Sequence, residues 1–258
     1  MNLIAIDTAT EKFSVALAVE QLNCVDTWLF EADVGMRHSE LVMDGIDALV
    51  QKAALAPSDI DGVVCMGGPG SFTGLRIGFS LAKGFALSLG IPFAPIPTLD
   101  CLAWPFSSWP GIAVPVLDAK KRAFFCALYH EGRRLNSDMD ATPSEIAFAL
   151  ASNFSSHVRV REWEREQALL FGPGAEKLFG ELMLLFEDNP SFADIQLIIR
   201  YGKGIRWGNA ETLLEIARTT GIFTVDGDES NSNLFAGPEY IRKSDAEINL
   251  GNQNLPHI

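Results

Sequence analysis

The sequence predicts an α/β protein made of two similar lobes, each with a mixed sheet flanked by helices. Three observations lead there. Apolar runs of strand length alternate with longer stretches of helical spacing along the 258 residues. "IDTATEKFSVALA" from Ile6 aligns without gaps to "LDAKKRAFFCALY" from Leu117, matching Asp7 to Asp118, Phe13 to Phe124, Ala16 to Ala127 and Leu17 to Leu128. "GGPGSF" (Gly67 to Phe72) then finds a counterpart in "FGPGAE" (Phe171 to Glu176), in the same order, so duplication explains the pair of matches better than chance.

The elements follow in order. "LIAIDTA" and "FSVALAV" are apolar runs around a short polar turn and predict a β-hairpin, with a third strand near "VDTWLFEA". Ser39 is placed to cap a helix reaching about Leu55, because Leu41, Val42, Ile46, Leu49, Val50 and Ala53 recur at helical spacing. "GVVCMG" reads as a buried strand, "GPGSFTGLRIGFSLAKGFALSLG" as a glycine turn and helix, and "FAPIPT" as a further strand. Pro105 to Gly111 reads as a linker. The expected division is therefore a lobe over 1–105, a second lobe with a divergent insert over 111–225, and a polar tail over 226–258.

The composition suits one large or two modest domains: 48% of residues are hydrophobic and 21% charged. A formal net charge of −13 and a pI near 4.7 argue against unaided nucleic-acid binding, which needs clustered cations. "MNLIAIDTAT" has no basic leader region, and the longest apolar run is interrupted by Arg76 and Lys83, so a cytoplasmic protein without a membrane span is expected. Cys24, Cys65, Cys101 and Cys126 form no CxxC pair and read as thiols of a reducing compartment.

The chemical motifs fail one by one. A Walker loop needs Lys and then Ser or Thr after its last glycine, where Leu75 and Arg76 stand; the dinucleotide fingerprint misses because Gly74 comes one position late. A strand, glycine turn and helix start can still receive an anion on backbone N–H groups, or serve only as a tight turn. No cation converges on the turn from nearby sequence, which favours the structural reading. "SLAK" (Ser80 to Lys83) lacks the companion motifs of the penicillin-binding enzymes, and Pro69 spoils GxSxG at Ser71. His38, His130, His157 and His257 have no ligand spacing, so no metal site is expected.

One feature survives these tests. Gly74, Gly78, Ala82, Ala86 and Gly90 recur every four residues and form a ridge of small side chains. Glycine within a helix costs about 1 kcal/mol against alanine, and Gly78 and Gly84 are both interior. Such a ridge admits a second backbone, either inside the lobe or across an interface. Its flanks, including Leu75, Phe79, Phe85 and Leu87, are apolar almost all round.

Two α/β halves that each open on an aspartate-bearing hairpin resemble the actin-like, sugar-kinase-like and heat-shock-chaperone ATPase (ASKHA) superfamily, whose paired hairpins hold nucleotide phosphates and a metal. Here the first turn reads "DTAT", without the superfamily's glycine, and the second reads "DAKKR" where a slim turn is expected. Asp7, Thr8, Thr10, Gly68, Gly70, Ser71, Asp118 and Lys120 are thus expected to be relic phosphate loops. No cofactor is expected, and weak or absent nucleotide binding is favoured over ATP turnover.

"IDTAT", "RHSELVMDGIDALV", "GGPGSFTGLRIGFSLAKGFALSLGIPFAPIPTLDCLA" and the ending "GPEYIRK" together resemble the bacterial TsaB (YeaZ) family, densely over about the first 130 residues. The resemblance implies a non-catalytic scaffold for TsaD, the enzyme that transfers a threonylcarbamoyl group to the adenosine 3′ of the anticodon in tRNAs reading codons that begin with A. It implies TsaE as a further member of the complex, TsaC as the supplier of the activated group, self-association as a homodimer in isolation, and tRNA contact only through the complex. The interface expected from it comprises Ser39, Leu41, Val42, Ile46, Gly74, Arg76, Gly78, Ala82, Phe85 and Ala86. Enlarging Gly78 is expected to abolish pairing while leaving the monomer folded. The competing expectations are a small-molecule kinase of the same superfamily, which would need tight Mg-ATP binding, and a metallopeptidase, which lacks ligands.

Overall fold

The computed structural model describes residues 1–10, 12–22, 24–33, 38–157, 166–200, 210–223 and 237–241. The first lobe is built on the hairpin β1 (Leu3–Asp7) and β2 (Lys12–Glu20), followed by β3 (Val25–Asp33), α1 (His38–Lys52), β4 (Gly62–Met66), α2 (Phe72–Leu89) and β5 (Phe93–Ile96). Its sheet runs β3-β2-β1-β4-β5, antiparallel across β1, β2 and β3 and parallel across β1, β4 and β5. Ser71 Oγ accepts from the Gly74 N–H to cap α2, and Gly90, at φ +68°, ends it in the left-handed conformation. α1 begins at His38, so Ser39 lies within its first turn, and it stops at Lys52, short of Leu55.

α3 (Thr98–Ala103) and a helical turn at Trp104–Phe106 lead into the second lobe. There β6 (Ile112–Asp118), β7 (Phe124–Cys126), β8 (Tyr129–His130), β9 (Arg133–Arg134) and β10 (Met139–Ala141) precede α4 (Pro143–His157), β11 (Glu166–Phe171), α5 (Ala175–Asp188) and β12 (Ile195–Ile199). The order β10-β7-β6-β11-β12 repeats the first sheet, again antiparallel on one side and parallel on the other. This is the duplicated actin-like plan.

The two lobes exchange one helix each. Leu99, Leu102 and Ala103 of α3 pack with Ala113, Leu117, Leu169 and Phe171 of the second sheet. In return α6 (Ala210–Thr220) sets Leu213, Leu214 and Ala217 against Leu3, Ala5, Ala16 and Val64 of the first. The buried Ala210 N–H donates to Ser14 Oγ at 2.9 Å and fixes its start. α6 falls within the stretch 111–225 that the sequence assigns to the second lobe, yet its apolar stripe is buried on the first. With helices on both sides, β1, β2, β4 and β6 are buried almost throughout, which explains their near-continuous apolar runs.

The ungapped alignment of the two hairpins holds along the first strands and slips by one residue in the second. Asp7 pairs with Ser14, whereas Asp118 pairs with Phe124, so the second turn is one residue shorter. Phe13 and Phe124 are therefore not equivalent, although both are fully buried.

Candidate functional site

The candidate site is the first glycine turn with the hairpin and the helices around it. The two glycine turns are built alike: Gly68 has φ +112° and Gly172 φ +103°, a backbone that glycine adopts without strain. They meet their hairpins at different levels. Ile6 pairs with Cys65, so Asp7 stands beside Met66, short of the first turn. Pro115 pairs with Phe171, which sets Asp118 level with Gly174 at the far end of the second. The two aspartates matched in sequence consequently occupy different environments.

Asp7 is buried, and its Oδ1 accepts from the Ala9 N–H at 3.0 Å. Burial pushes its carboxyl up to about 8; the Ala9 N–H opposes this and the Glu31 charge reinforces it. At Asp118 partial burial works in the same upward direction, but the Lys120 N–H and the Lys177 and Lys120 ammonium groups outweigh it and hold the carboxyl below its usual value. Lys177 Nζ lies 3.3 Å from its Oδ2 and Lys120 Nζ 3.5 Å. The turn between β6 and β7 is strained, with Lys120, Lys121 and Arg122 at φ +61°, +53° and +60°.

The chain itself fills the space over the first glycine turn. Ser71 N–H donates to the Ala9 carbonyl at 2.7 Å, Gly67 N–H to that of Ile96 and Glu239 N–H to that of Gly67. Thr8 Oγ1 donates to the Gly74 carbonyl at 2.7 Å. A Cβ on Gly70 would stand 2.6 Å from the Ala9 carbonyl oxygen, and one on Gly68 2.4 Å from that of Glu239. Asp7, Thr8, Gly70 and Ser71 are thus brought together, while Thr10 bonds locally to Lys12. No hydrogen bond or ion pair among the described residues links this group to Asp118 or Lys120.

The small-residue ridge is spent inside the lobe. Gly74, Gly78, Ala82 and Ala86 are buried, and so are Val42 and Ile46 of α1. A Cβ on Gly74 would lie 2.0 Å from the Thr8 carbonyl oxygen, and one on Gly78 2.4 Å from Thr8 Oγ1. These six residues are turned toward their own hairpin and core. A larger side chain at Gly78 would therefore strike Thr8 within the fold. Leu41 and Phe85 remain half-buried. Arg76 is exposed but engaged, its guanidinium 3.8 Å above the Phe72 ring and its Nε donating to the Tyr240 hydroxyl at 3.2 Å. The Ser39 side chain lies outside the described residues.

The outward edge of α2 is a different set: Ser80, Gly84, Leu87 and Ser88, at positions i, i+4, i+7 and i+8. Leu87 is 64% exposed, and a Cβ on Gly84 would meet no described residue within 4 Å. The sequence reading noted Gly84 and Leu87 but ranked the ridge above them, because periodicity identifies a stripe without telling which side faces the core. It missed the docking of Glu239 and Tyr240 on the glycine turn, for which "GPEY" was the available signal.

Among the described residues no three His, Cys, Asp or Glu side chains gather as metal ligands, and no helix is long and apolar enough to cross a membrane. Cys65, Cys101 and Cys126 are buried free thiols and Cys24 is exposed.

The family model described as TsaD, tRNA N6-adenosine threonylcarbamoyltransferase, matches residues 32–168, just over half of the chain. The chain is 34% identical over 131 residues to the tRNA threonylcarbamoyladenosine biosynthesis protein TsaB of Bacillus subtilis, covering 50% of this chain and 55% of that one. It is 33% identical over 103 residues to Escherichia coli TsaB, covering 40% and 43% respectively. The aligned part thus spans about half the length of these curated relatives. A Pseudomonas aeruginosa crystal structure, described as an uncharacterized protein with similarity to peptidase YEAZ, superposes with a TM-score of 0.69 at 23% identity over 93% of this chain and 99% of that one, a likeness of fold.

Proposed function

We propose a docking role rather than a catalytic one for this chain, which belongs to the TsaD-type family and within it to the TsaB (YeaZ) group. On this reading it serves tRNA threonylcarbamoyladenosine biosynthesis as a scaffold for TsaD. TsaE joins through the complex, TsaC acts upstream, and tRNA is held by the other members. The acidic balance of the chain, with a net charge of −13, fits a subunit that does not grip RNA itself.

One observation carries the proposal. Gly84 is an interior helical residue with open space above it, beside an exposed Leu87, on a helix whose inner ridge is already filled. A helix interior gives up about 1 kcal/mol to keep a glycine there, and no described residue uses the room. A partner helix laid against Ser80, Gly84 and Leu87 would use it, and the same face would serve self-association when TsaD is absent. The first glycine turn supports the non-catalytic half of the reading, since a phosphate approaching it would meet Thr8, Ala9 and Glu239.

Light scattering on the chain mixed with TsaD of the same organism tests this. The expected result is a one-to-one complex that Leu87→Arg and Gly84→Trp abolish without lowering the Tm of the isolated chain. A complex unchanged by both substitutions would move the interface elsewhere; no complex, with tight Mg-ATP binding instead, would sink the scaffold reading.

A further inference from the structure

A crevice of about 530 Å³ opens where the two lobes and their connection meet, with Ile96, whose carbonyl accepts from the Gly67 N–H of the first glycine turn, in its wall. Ile96 at the end of β5 and Ile216 of α6 come from the first lobe's side, Trp104 from the connection, Gly132 from the β8–β9 turn and Arg134 from β9. The volume is that of a small-molecule site, and so is the wall: mostly apolar, with a few polar groups gathered in one place.

Those polar groups centre on Asp100, whose side chain is 39% exposed. Its Oδ1 accepts from the Tyr129 hydroxyl at 2.6 Å and from Arg134 Nε and Nη2 at 3.0 and 2.7 Å. No described residue donates to Oδ2. Arg134 is held on its other side by Asp138, so its charge is already matched. Two carboxylates face one guanidinium, which leaves the cluster with one net negative charge. Burial, with the neighbouring Asp100 charge, pushes the Tyr129 phenol far above its usual range and keeps it a neutral donor. The crevice therefore repels anions and offers one unfilled acceptor beside an indole and aliphatic walls.

We propose that this crevice binds a small, flat, largely apolar molecule bearing an ammonium group, its cation on Asp100 Oδ2 and its body between Trp104 and Ile216. Because the walls belong to both lobes, an occupant ties the β8–β9 turn to β5 and α6. The site shares no lining residue with the α2 edge.

The test titrates three probes into the full chain, followed by amide NMR: tryptamine, its neutral analogue indole-3-ethanol and its anionic analogue indole-3-acetate. Tryptamine is expected to give saturable shifts at Ala103, Gly132 and Ile216, with the alcohol at least tenfold weaker and no shift from the acid. Asp100→Asn should weaken tryptamine at least tenfold. Thr220→Trp, which fills the rim and leaves the Asp100 network alone, should abolish binding. The proposal is overturned if the acid binds as well as the amine, if no probe gives saturable shifts at these residues, or if folded Asp100→Asn binds undiminished. Should Asp100→Asn not fold, binding retained by Thr220→Trp overturns it equally.

Discussion

Thr8 Oγ1 donates a 2.7 Å hydrogen bond to the carbonyl of Gly74 and, with the Ser71 N–H on the Ala9 carbonyl, seats the first hairpin turn on the start of α2. It explains why two glycines of the helix cannot be enlarged.

Gly74→Ala is expected to cost about 3 kcal/mol, the upper range of overpacking, because the new methyl would stand 2.0 Å from a backbone oxygen that no rotamer change can move. Gly84→Ala should instead add about 1 kcal/mol, since no described residue lies within 4 Å and alanine is the better helix former. Urea unfolding of the two variants gives the comparison directly; a similar loss in both would contradict the assignment of inner and outer faces.

Asp7 makes stability fall with rising pH. Its carboxyl is raised to about 8 in the fold, against about 3.9 in the unfolded chain. Between those values the folded state holds the extra proton, so its contribution is complete below about pH 4 and is lost as pH rises through about 8. The slope amounts to at most about 1.4 kcal/mol per pH unit. Asp7→Asn, which keeps an acceptor for the Ala9 N–H, should flatten the dependence and be more stable than the parent at pH 8. Unfolding midpoints at pH 5, 6, 7 and 8 check it, and a parent profile that rises over this window would refute the assignment.

Tyr240 clasps the tail to α2, with its ring 4.7 Å from that of Phe72 and its hydroxyl on Arg76. Tyr240→Ala is expected to cost about 1–2 kcal/mol, the sum of an aromatic pair and an exposed cation–π contact. Thermal unfolding, together with loss of amide protection at Gly67 and Gly68, would report it. An unchanged Tm would mean that the clasp adds nothing to stability.

α6 stabilises the lobe it does not follow in sequence. Leu213 is fully buried against the first sheet, so Leu213→Ala should cost about 3 kcal/mol, as other buried leucines do. Hydrogen exchange should locate the weakening in β1, β2 and β4 rather than in β6 and β11. Weakening confined to the second sheet would show that α6 belongs there after all.

The sequence alone determined the two-lobed plan. Apolar runs bounded by turns mark β1, β2, β4 and β6, glycine and proline punctuate the turns at Gly68 and Gly172, and the repeat of those signals reveals the duplication. The family likeness was legible too, because "GPGSFTGLRIG" records backbone demands that few other residues satisfy. Tertiary structure alone decided which side of α2 faces inward, which lobe α6 completes, and that Asp7 and Asp118 are not equivalent. The physical reason is that a helical period gives a stripe without a direction, and an alignment gives order without register. Whether Gly78 meets Thr8 or a stranger depends on contacts between segments far apart in the chain, which no local pattern encodes.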